Sequence, residues 1–296
     1  MSAPGPTAHL FVLLQRLLPR YWITKLVYSL TRIRTPGIKN FLIRRFVAAF
    51  SVDTSEARLT VPDEYPTFND FFIRELRDGL RPIDTTEQSL CSPVDGTLSA
   101  CGTIESDRLF QAKGKSYSLQ DLLAVDVDDA KAYRDGRFAT IYLAPYNYHR
   151  VHAPFAGTLK AMHYVPGDLF SVNAATVQLL PGLFARNERL VCHYDTPEGP
   201  SALVFVGALN VGSISTPWTG EIRPRKDGVA ETLSLDEATP TNIAKGDLLG
   251  WFNMGSTVIV LLPDGAGEWD ESLQPGDTVI VGQRIGQRIG QRGRTG

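Results

Sequence analysis

The sequence has few cysteines and no long apolar run. Its three cysteines, Cys91, Cys101 and Cys192, include no C-x-x-C pair. An odd, scattered set argues against a disulfide framework or structural zinc and favours a reducing compartment. No apolar stretch approaches the roughly 20 residues that a spanning helix needs, and no apolar segment precedes a small-residue cleavage site. The sequence therefore predicts neither a transmembrane anchor nor a signal peptide.

Acidic residues are missing from the first 52 positions, although the whole chain is nearly neutral. Among 296 residues, 30 Lys and Arg face 32 Asp and Glu, which excludes a generally basic nucleic-acid binder. The N-terminal basic residues are Arg16, Arg20, Lys25, Arg32, Arg34, Lys39, Arg44 and Arg45. Apolar residues recur between them at helical spacing, and Thr35-Pro36 is typical of a helix start. The pattern predicts amphipathic helices lying on an anionic membrane; the alternative is a helical layer packed on the core with its charges solvated.

From about Leu90 onward the chain changes to β-branched alternation with frequent glycine turns. Three segments look alike: 92–98 (SPVDGTL), 153–159 (APFAGTL) and 216–222 (TPWTGEI), with partner turns at 166–168, 245–247 and 275–277. They resemble the hammerhead hairpins of biotinyl- and lipoyl-type sandwiches, in which glycine permits a tight reversal at positive φ. No lysine stands where such a domain carries its cofactor, so only the architecture is implied. The predicted fold class is α+β, with N-terminal amphipathic helices packed beside a β-rich sandwich of these repeats.

Residues able to do chemistry cluster in three places. Gly255-Ser256 comes just before an apolar strand, His149 and His152 come just before the second repeat, and Asp95 lies in the first. Each has a structural alternative, since Gly-Ser and Asp-Gly pairs are common in turns. On an extended segment, residues three apart face opposite sides, so the two histidines would do different jobs. Neither histidine has a carboxylate or cysteine at ligand spacing, and no metal site is predicted.

Several of these residues belong to longer blocks that occur in a recognisable order. The blocks are FNDFFIREL at 68–76 with RPI at 81–83, SPVDG at 92–96, YHRVHAP at 148–154, VGALNVGSI at 206–214 and FNMGST at 252–257. Together with the basic helical N-terminus, they resemble the proenzymes of the phosphatidylserine decarboxylase family. Met254 departs from the family's usual leucine, which is a volume-conserving change.

The resemblance implies a carboxy-lyase that makes its own prosthetic group. Decarboxylation of an amino acid needs an electron sink that no standard side chain supplies. In this family, the resemblance implies, Ser256 attacks the Gly255 carbonyl, the chain is cut between them, and Ser256 becomes a pyruvoyl group that forms a Schiff base with the substrate amine. Neither pyridoxal phosphate nor a metal is implied. The resemblance further assigns Asp95, His152 and Ser256 to a charge relay for self-cleavage and His149 to decarboxylation; the alternative for His149 is a packing role.

The same resemblance sets the expected organisation and partners. A helical membrane-associating region covers 1–88, a β-rich catalytic domain 89–281, and a basic low-complexity tail, expected to be disordered, 282–296. The expected partners are an anionic membrane, phosphatidylserine, and the two chains of one precursor as a heterodimer, with further dimerisation left open and no nucleic acid. The expected location is peripheral, on the cytoplasmic face of the inner membrane. Residues 207–213 are expected either to bind phosphate or to serve strand packing. Two alternative functions remain: a pyruvoyl decarboxylase of another amino-acid-derived substrate, and a non-catalytic hybrid-sandwich binding module.

Overall fold

Three helices form the N-terminal head, which we define as residues 6–50. The computed structural model describes residues 5–112, 114–124, 130–210 and 212–289, without the side chain of Ser256. The head helices are α1 (Pro6–Leu17), α2 (Arg20–Thr31) and α3 (Pro36–Phe50). Thr35 is the N-cap residue of α3 and Pro36 its first helical residue, although the Thr35 side chain makes no capping hydrogen bond. The helices predicted from apolar spacing are confirmed. Among the residues described, no helix combines the length and apolarity needed to cross a bilayer.

Much of the apolar surface of the head is exposed. Only a few head side chains, among them Val12 and Ile43, are buried. Its exposed large apolar residues are Leu10, Phe11, Leu13, Leu14, Leu17, Leu18, Trp22, Leu26, Leu30, Ile38, Phe41 and Phe50. Part of the head nevertheless packs inward, since Ile43, Leu42 and Phe46 join the apolar cluster of α4 (Phe68–Phe72), and membrane contact stays a prediction.

Polar contacts fix the head to the rest of the chain. The buried Gln15 donates from Nε2 to Thr176 Oγ1 at 3.1 Å and accepts from the Ser171 amide at 2.8 Å. Arg20 pairs with Asp168 at 2.7 Å. Because these bonds have defined directions, they set the position of α1 and α2 more strictly than apolar contact alone.

A large antiparallel sheet forms the centre of the molecule. In spatial order its strands are β12 (Glu231–Thr232), β7 (Gly157–Val165), β8 (Arg189–Thr196), β9 (Gly199–Val206), β15 (Ser256–Leu262), β5 (Arg137–Leu143), β2 (Gly96–Thr103) and β17 (Thr278–Val279), with β13 (Asn242–Ile243) also paired to β7. The middle strands β9 and β15 contain the apolar runs ALVFV (202–206) and VIVLL (258–262), whose residues are all buried. Continuous apolar runs of this kind suit strands covered on both faces.

Smaller sheets and short helices cover the large sheet. One small sheet has the order β11 (Gly220–Ile222), β10 (Ile214–Thr216), β14 (Leu248–Phe252) and β6 (Arg150–His152); another has β1 (Ser89–Cys91), β18 (Arg284–Arg288) and β16 (Gly267–Trp269). β3 (Arg108–Ala112) and β4 (Lys115–Ser118) form a ribbon. The short helices are α4 (Phe68–Phe72), α5 (Leu119–Leu123), α6 (Ala174–Leu179) and α7 (Leu183–Arg186), with a 3₁₀ turn at Lys131–Tyr133. The α+β class is confirmed.

The first two repeat segments follow the same path through these sheets. Each leaves a small sheet (β1 or β6), passes through its Pro-containing loop and enters the large sheet (β2 or β7). In the first unit, β1 pairs with β18 and β2 pairs with β17. In the second unit, β6 pairs with β14 and β7 pairs with β13 in the same way. The loops meet in reciprocal hydrogen bonds, from Cys91 N to Pro154 O and from His152 N to Pro93 O. An approximate two-fold relation therefore brings the two loops together.

The third segment is not another copy of this unit. Its strands β10 and β11 form a simple hairpin in which Thr216 pairs with Gly220. Of the three repeat glycines, only Gly220 has a positive φ, 66°. Gly96 and Gly157 are needed for close approach instead, since a Cβ would lie 2.5 Å from Tyr142 O and 2.8 Å from Asp195 O, respectively. The expected reason for those two glycines is therefore wrong.

Two of the partner turns contact repeat segments, and the tail differs from expectation. Residues 245–247 pair with Ala153, the equivalent partner of Ser92 is Gly282–Gln283, and 276–277 pairs with Leu98. The tail was expected to be disordered from residue 282. Arg284–Arg288 instead form strand β18 between β1 and β16, with Ile285 buried. Disorder is therefore wrong for these residues; the rest of the tail, 290–296, lies outside the described residues.

Candidate active site

The predicted cleavage position lies in a short connection between two strands. Residues 253–255 join β14 to β15, and the backbone of Ser256 begins β15 opposite Leu143. Met254 has a φ of 103° and Gly255 a φ of 35°. Positive φ is readily adopted by glycine but costs a residue with a Cβ. The Ser256 side chain, which carries the predicted nucleophile, lies outside the described part of the chain.

His149 stands against this connection. Its side chain is fully buried, and its ring lies 4.0 Å from the Phe72 ring. Nδ1 contacts Asn147 O at 2.8 Å; since a carbonyl only accepts, Nδ1 carries the hydrogen and Nε2 has the lone pair. That Nε2 is buried and has no hydrogen-bond partner among the described atoms, and a Cβ built on Gly255 would lie 3.8 Å from it. The lone pair is therefore available at the predicted cleavage position.

Burial and a neighbouring guanidinium keep the His149 ring neutral. Desolvation and then the charge of Arg74 lower its pKa from 6.5 to about 3. The Arg74 side chain is itself buried and donates from Nη2 to Tyr146 O at 3.0 Å. Because Tyr146 lies just before the residue that orients the ring, Arg74 both holds this turn and acts on the imidazole through its charge.

His152 occupies a different environment from His149. Its Nδ1 donates to Gly246 O at 2.8 Å, and its Nε2 contacts Tyr148 Oη at 3.1 Å. This arrangement fixes the tautomer with the hydrogen on Nδ1. Burial lowers the His152 pKa most, the hydrogen bond to Gly246 opposes that shift, Arg150 lowers the pKa further, and Asp95 raises it. The two histidines therefore have different environments, and that they do different jobs stays a prediction.

Asp95 is a buried carboxylate held by an arginine. Arg81 donates to it from Nε and Nη2 at 3.0 and 2.6 Å, and the Val281 amide donates at 2.9 Å. Arg81 also pairs with Glu56 at 2.9 Å. The two-fold relation brings the loops of Asp95 and His152 together, but these described side chains share no hydrogen bond. In this structure Gly246 O, rather than Asp95, orients the imidazole.

An apolar cavity of about 640 Å³ lies between the head and the cleavage position. Head residues on its wall include Leu30, Phe46 and Phe50, and its other walls include Tyr142 and Gly255. Its further lining contains the polar side chains of Thr31, Arg45, Ser171 and Asn210. An apolar space with a few polar groups is typical of a ligand site.

Residues 207–213 were predicted either to bind phosphate or to serve strand packing, and the structure shows the role of only some of them. A Cβ on Gly207 would lie 2.5 Å from Glu188 Cγ, so this glycine serves close packing. Ala208, Leu209 and Asn210 line the cavity, while Val211 lies outside the described residues. The packing role therefore holds at Gly207, and phosphate contact stays a prediction.

The sequence did not identify the groups that orient the site residues. Arg81, Phe72 and Arg74 stood in the family-like blocks, but nothing in their spacing named Asp95 or His149 as their partners. The Gly246 carbonyl leaves no side-chain signal in a sequence. Within the described ranges, no group of three or more His, Cys, Asp or Glu side chains is placed to hold a metal ion.

Comparison with known proteins places the chain in a family. The family model described as phosphatidylserine decarboxylase matches residues 68–287, and one described as PSD matches 10–51. The phosphatidylserine decarboxylase proenzyme of Alcanivorax borkumensis is 46% identical over 92% of this chain and 94% of its own. That of Stutzerimonas stutzeri is 47% identical over 93% of both chains, and that of Alkalilimnicola ehrlichii 49% over 86% of this chain and 88% of its own. With the matched blocks spanning both histidines and the cleavage position, this chain belongs to the phosphatidylserine decarboxylase family.

Proposed function

We propose that this protein is a self-processing decarboxylase that converts phosphatidylserine to phosphatidylethanolamine and CO₂. The names of its relatives supply the substrate and the proenzyme state. The observation that carries the proposal is His149 Nε2, which faces Gly255 beside an apolar cavity and has no hydrogen-bond partner among the described atoms. A neutral imidazole can exchange a proton there, and the cavity can hold part of an acyl chain.

Processing begins with the chain's own serine. The Ser256 hydroxyl attacks the Gly255 carbonyl carbon, the peptide C–N bond breaks, and the hydroxyl proton passes to the released nitrogen. Removal of the residue 256 α-proton then expels the Gly255 carboxylate and cuts the chain. Hydrolysis of the resulting dehydroalanine releases ammonia and leaves a pyruvoyl group. The products are residues 1–255 and 256–296.

His152 is our choice for the base in this step, with Asp95 as its supporting charge. A serine hydroxyl is a weak nucleophile until a base takes its proton. The tautomer fixed by Gly246 leaves Nε2 of His152 as an acceptor, at present bonded to Tyr148 Oη. Asp95 raises the His152 pKa, so its charge stabilises the imidazolium that forms.

The surroundings of residue 256 fit a pyruvoyl group. The backbone at 256 is held by the β15–β5 ladder beside an apolar cavity. His149 Nε2 lies close to it and has no hydrogen-bond partner in the part of the chain that the structure describes. When formed, the group would supply the electrophilic carbonyl that takes up the electrons of the departing carboxylate. His149 would hold and return a proton at Nε2; an anionic substrate nearby would favour the protonated ring, because an opposite charge raises a histidine pKa.

The two chains should remain one particle after cleavage. β15 belongs to the small chain and lies between β9 and β5 of the large chain. β18 also belongs to the small chain and pairs with β1. These ladders are independent of the 255–256 bond, which supports a heterodimer. We also propose that the duplicated β1–β2 and β6–β7 units are hammerhead hairpins; their matched strand pairing supports this reading.

The proposed reaction is tested by mass and by CO₂ release. Purified protein should give two masses, matching 1–255 and 256–296, with the small chain resistant to Edman degradation and both chains eluting together. CO₂ should be released from phosphatidylserine vesicles and not from free serine. Ser256→Ala should give one intact chain without activity. Equal release from free serine would favour another substrate, and an intact, inactive parent chain would favour the binding module.

The head is the proposed membrane contact. Five of its basic residues are exposed: Arg16, Lys25, Arg34, Arg44 and Arg45. The other three basic residues make contacts within the protein. Arg20 and Arg32 pair with carboxylates, and Lys39 donates to backbone oxygens. Each exposed cation adds about 1 kcal/mol of attraction to an anionic leaflet, and the outward apolar face can enter the acyl region. Peripheral binding at the cytoplasmic face is the proposed location; the three unpaired cysteines suit that reducing compartment.

Removing apolar surface from the head should weaken vesicle binding. Leu17, Trp22 and Leu26 are 76%, 73% and 69% exposed, so their change to glutamine should not disturb the core. We expect the triple variant to bind anionic vesicles at least about tenfold more weakly in a co-sedimentation assay. The control is Val229→Gln, because Val229 is 83% exposed but lies outside the head. Unchanged binding of the triple variant, or equal loss in the control, would remove the head from the proposed contact.

A further inference from the structure

The backbone of Met254 is unusual for a residue with a side chain. Five other described non-glycine residues have positive φ, and theirs lie between 51° and 69°. Those values are in the ordinary left-handed region, whereas Met254 has a φ of 103°. A conformation of this kind persists only when the surrounding structure holds it. The peptide proposed to be cut, Gly255–Ser256, lies one residue further along the chain.

The residue before Met254 is fixed by five hydrogen bonds. The Asn253 amide donates to Ser213 O, and its carbonyl accepts from Gly212 N, both at 2.9 Å. Its side-chain Nδ2 donates to Ser213 Oγ and Ser215 Oγ, and its Oδ1 accepts from Asn69 Nδ2, all at 2.9 Å. Asn253 is buried, so water does not compete for these bonds. We call this set of contacts the Asn253 clamp.

The residue after Gly255 is fixed by the large sheet. Ser256 pairs with Leu143, and Thr257 pairs with both Tyr142 and Val206. Only Met254 and Gly255 therefore span the gap between two rigid points. Met254 also packs against the aromatic cluster of α3 and α4. Rotation of Met254 to a negative φ would have to move either the Asn253 clamp or the start of β15.

We infer that the Asn253 clamp and β15 hold Met254 in a strained conformation that speeds self-cleavage. The inference rests on the proposed cleavage between Gly255 and Ser256. In the first step the bond from Oγ of residue 256 to the Gly255 carbonyl carbon forms, the C–N bond breaks and the proton goes to the nitrogen. The ester replaces the amide nitrogen in the connecting path by Oγ and Cβ of residue 256, which lengthens the path by one atom. The added length lets Met254 relax, so strain is present in the reactant and reduced in the product of this step.

Substitutions at Met254 separate backbone strain from side-chain packing. Glycine accepts positive φ and removes the strain, whereas alanine keeps the Cβ and loses the packing. Leucine keeps both. In a time course of freshly synthesised full-length chain, Met254→Gly should be cut roughly 5- to 100-fold more slowly than Met254→Ala. Met254→Leu should be cut at close to the parent rate, because leucine keeps both the Cβ and a side chain of similar volume.

A second measurement uses chains that cannot be cut. In a Ser256→Ala background, Met254→Gly should raise the midpoint of thermal unfolding above that of Met254→Ala, because relief of strain stabilises the uncut form. Equal cleavage rates for Gly and Ala, or a lower midpoint for Gly, would overturn the inference. The parent's fragment masses separate this failure from that of the proposed function. Masses other than 1–255 and 256–296 would refute the cleavage position itself.

Discussion

His152→Ala is expected to leave the chain almost entirely uncut. Without the imidazole, the Ser256 hydroxyl loses the base that we assign to it. General-base assistance contributes about 10²–10⁴-fold, so cleavage that is complete in the parent should be barely detectable over the same period. Intact-mass analysis during a time course measures the cut fraction directly.

The controls for His152 follow from its hydrogen bonds. Tyr148→Phe removes only the hydroxyl that contacts Nε2, and it should still be cut. Asp95→Asn keeps an oxygen for Arg81 and the Val281 amide while it removes the charge that raises the His152 pKa, and it should be cut slowly. Rapid, complete cleavage of both His152→Ala and Asp95→Asn would end the charge-relay assignment.

Local patterns predicted the parts of the fold that depend on local chemistry. Helix spacing and the Thr35-Pro36 pair identified α3, because a helix forms its hydrogen bonds within its own segment. The glycine loops at 92–96 and 153–157 were also located from sequence. The segment at 216–222 has a similar sequence but forms a simple hairpin, because the strand with which a segment pairs depends on residues far away in the sequence. The composition of the tail suggested disorder because it does not show that β18 pairs with β1 and β16, which are distant in sequence.

The candidate site shows the same division. Motif order named His149, His152 and Asp95 as candidates. It did not show that Arg81 would take the Asp95 carboxylate or that Gly246 O would take His152 Nδ1. Both partners come from segments distant in sequence, and one is a backbone atom. The direction in which an imidazole points is a tertiary property, so only the folded chain shows that His149, and not His152, faces Gly255.

His149→Gln is expected to separate cleavage from decarboxylation. Glutamine retains a polar side chain at this buried position but cannot take up and return a proton. The variant should be cut into the same two chains as the parent, while CO₂ release from phosphatidylserine vesicles should fall by about 10²–10⁴-fold. Phe72→Leu is the packing control, because it removes the ring next to His149 and leaves the imidazole; it should lose much less activity. A His149→Gln chain that stays uncut would assign this histidine to cleavage.

The uncut chain offers a readout of His149 that does not depend on activity. In a Ser256→Ala background the buried ring has a pKa of about 3, whereas an unfolded histidine titrates near 6.5. Between these values the unfolded chain binds a proton that the folded ring does not. The free energy of unfolding should therefore fall with falling pH, by up to about 1.4 kcal/mol per pH unit from this group. His149→Gln should reduce that slope in urea titrations between pH 6 and 4. An unchanged slope would show that the ring is not held neutral, and the lone pair facing Gly255 would then not be available to accept a proton.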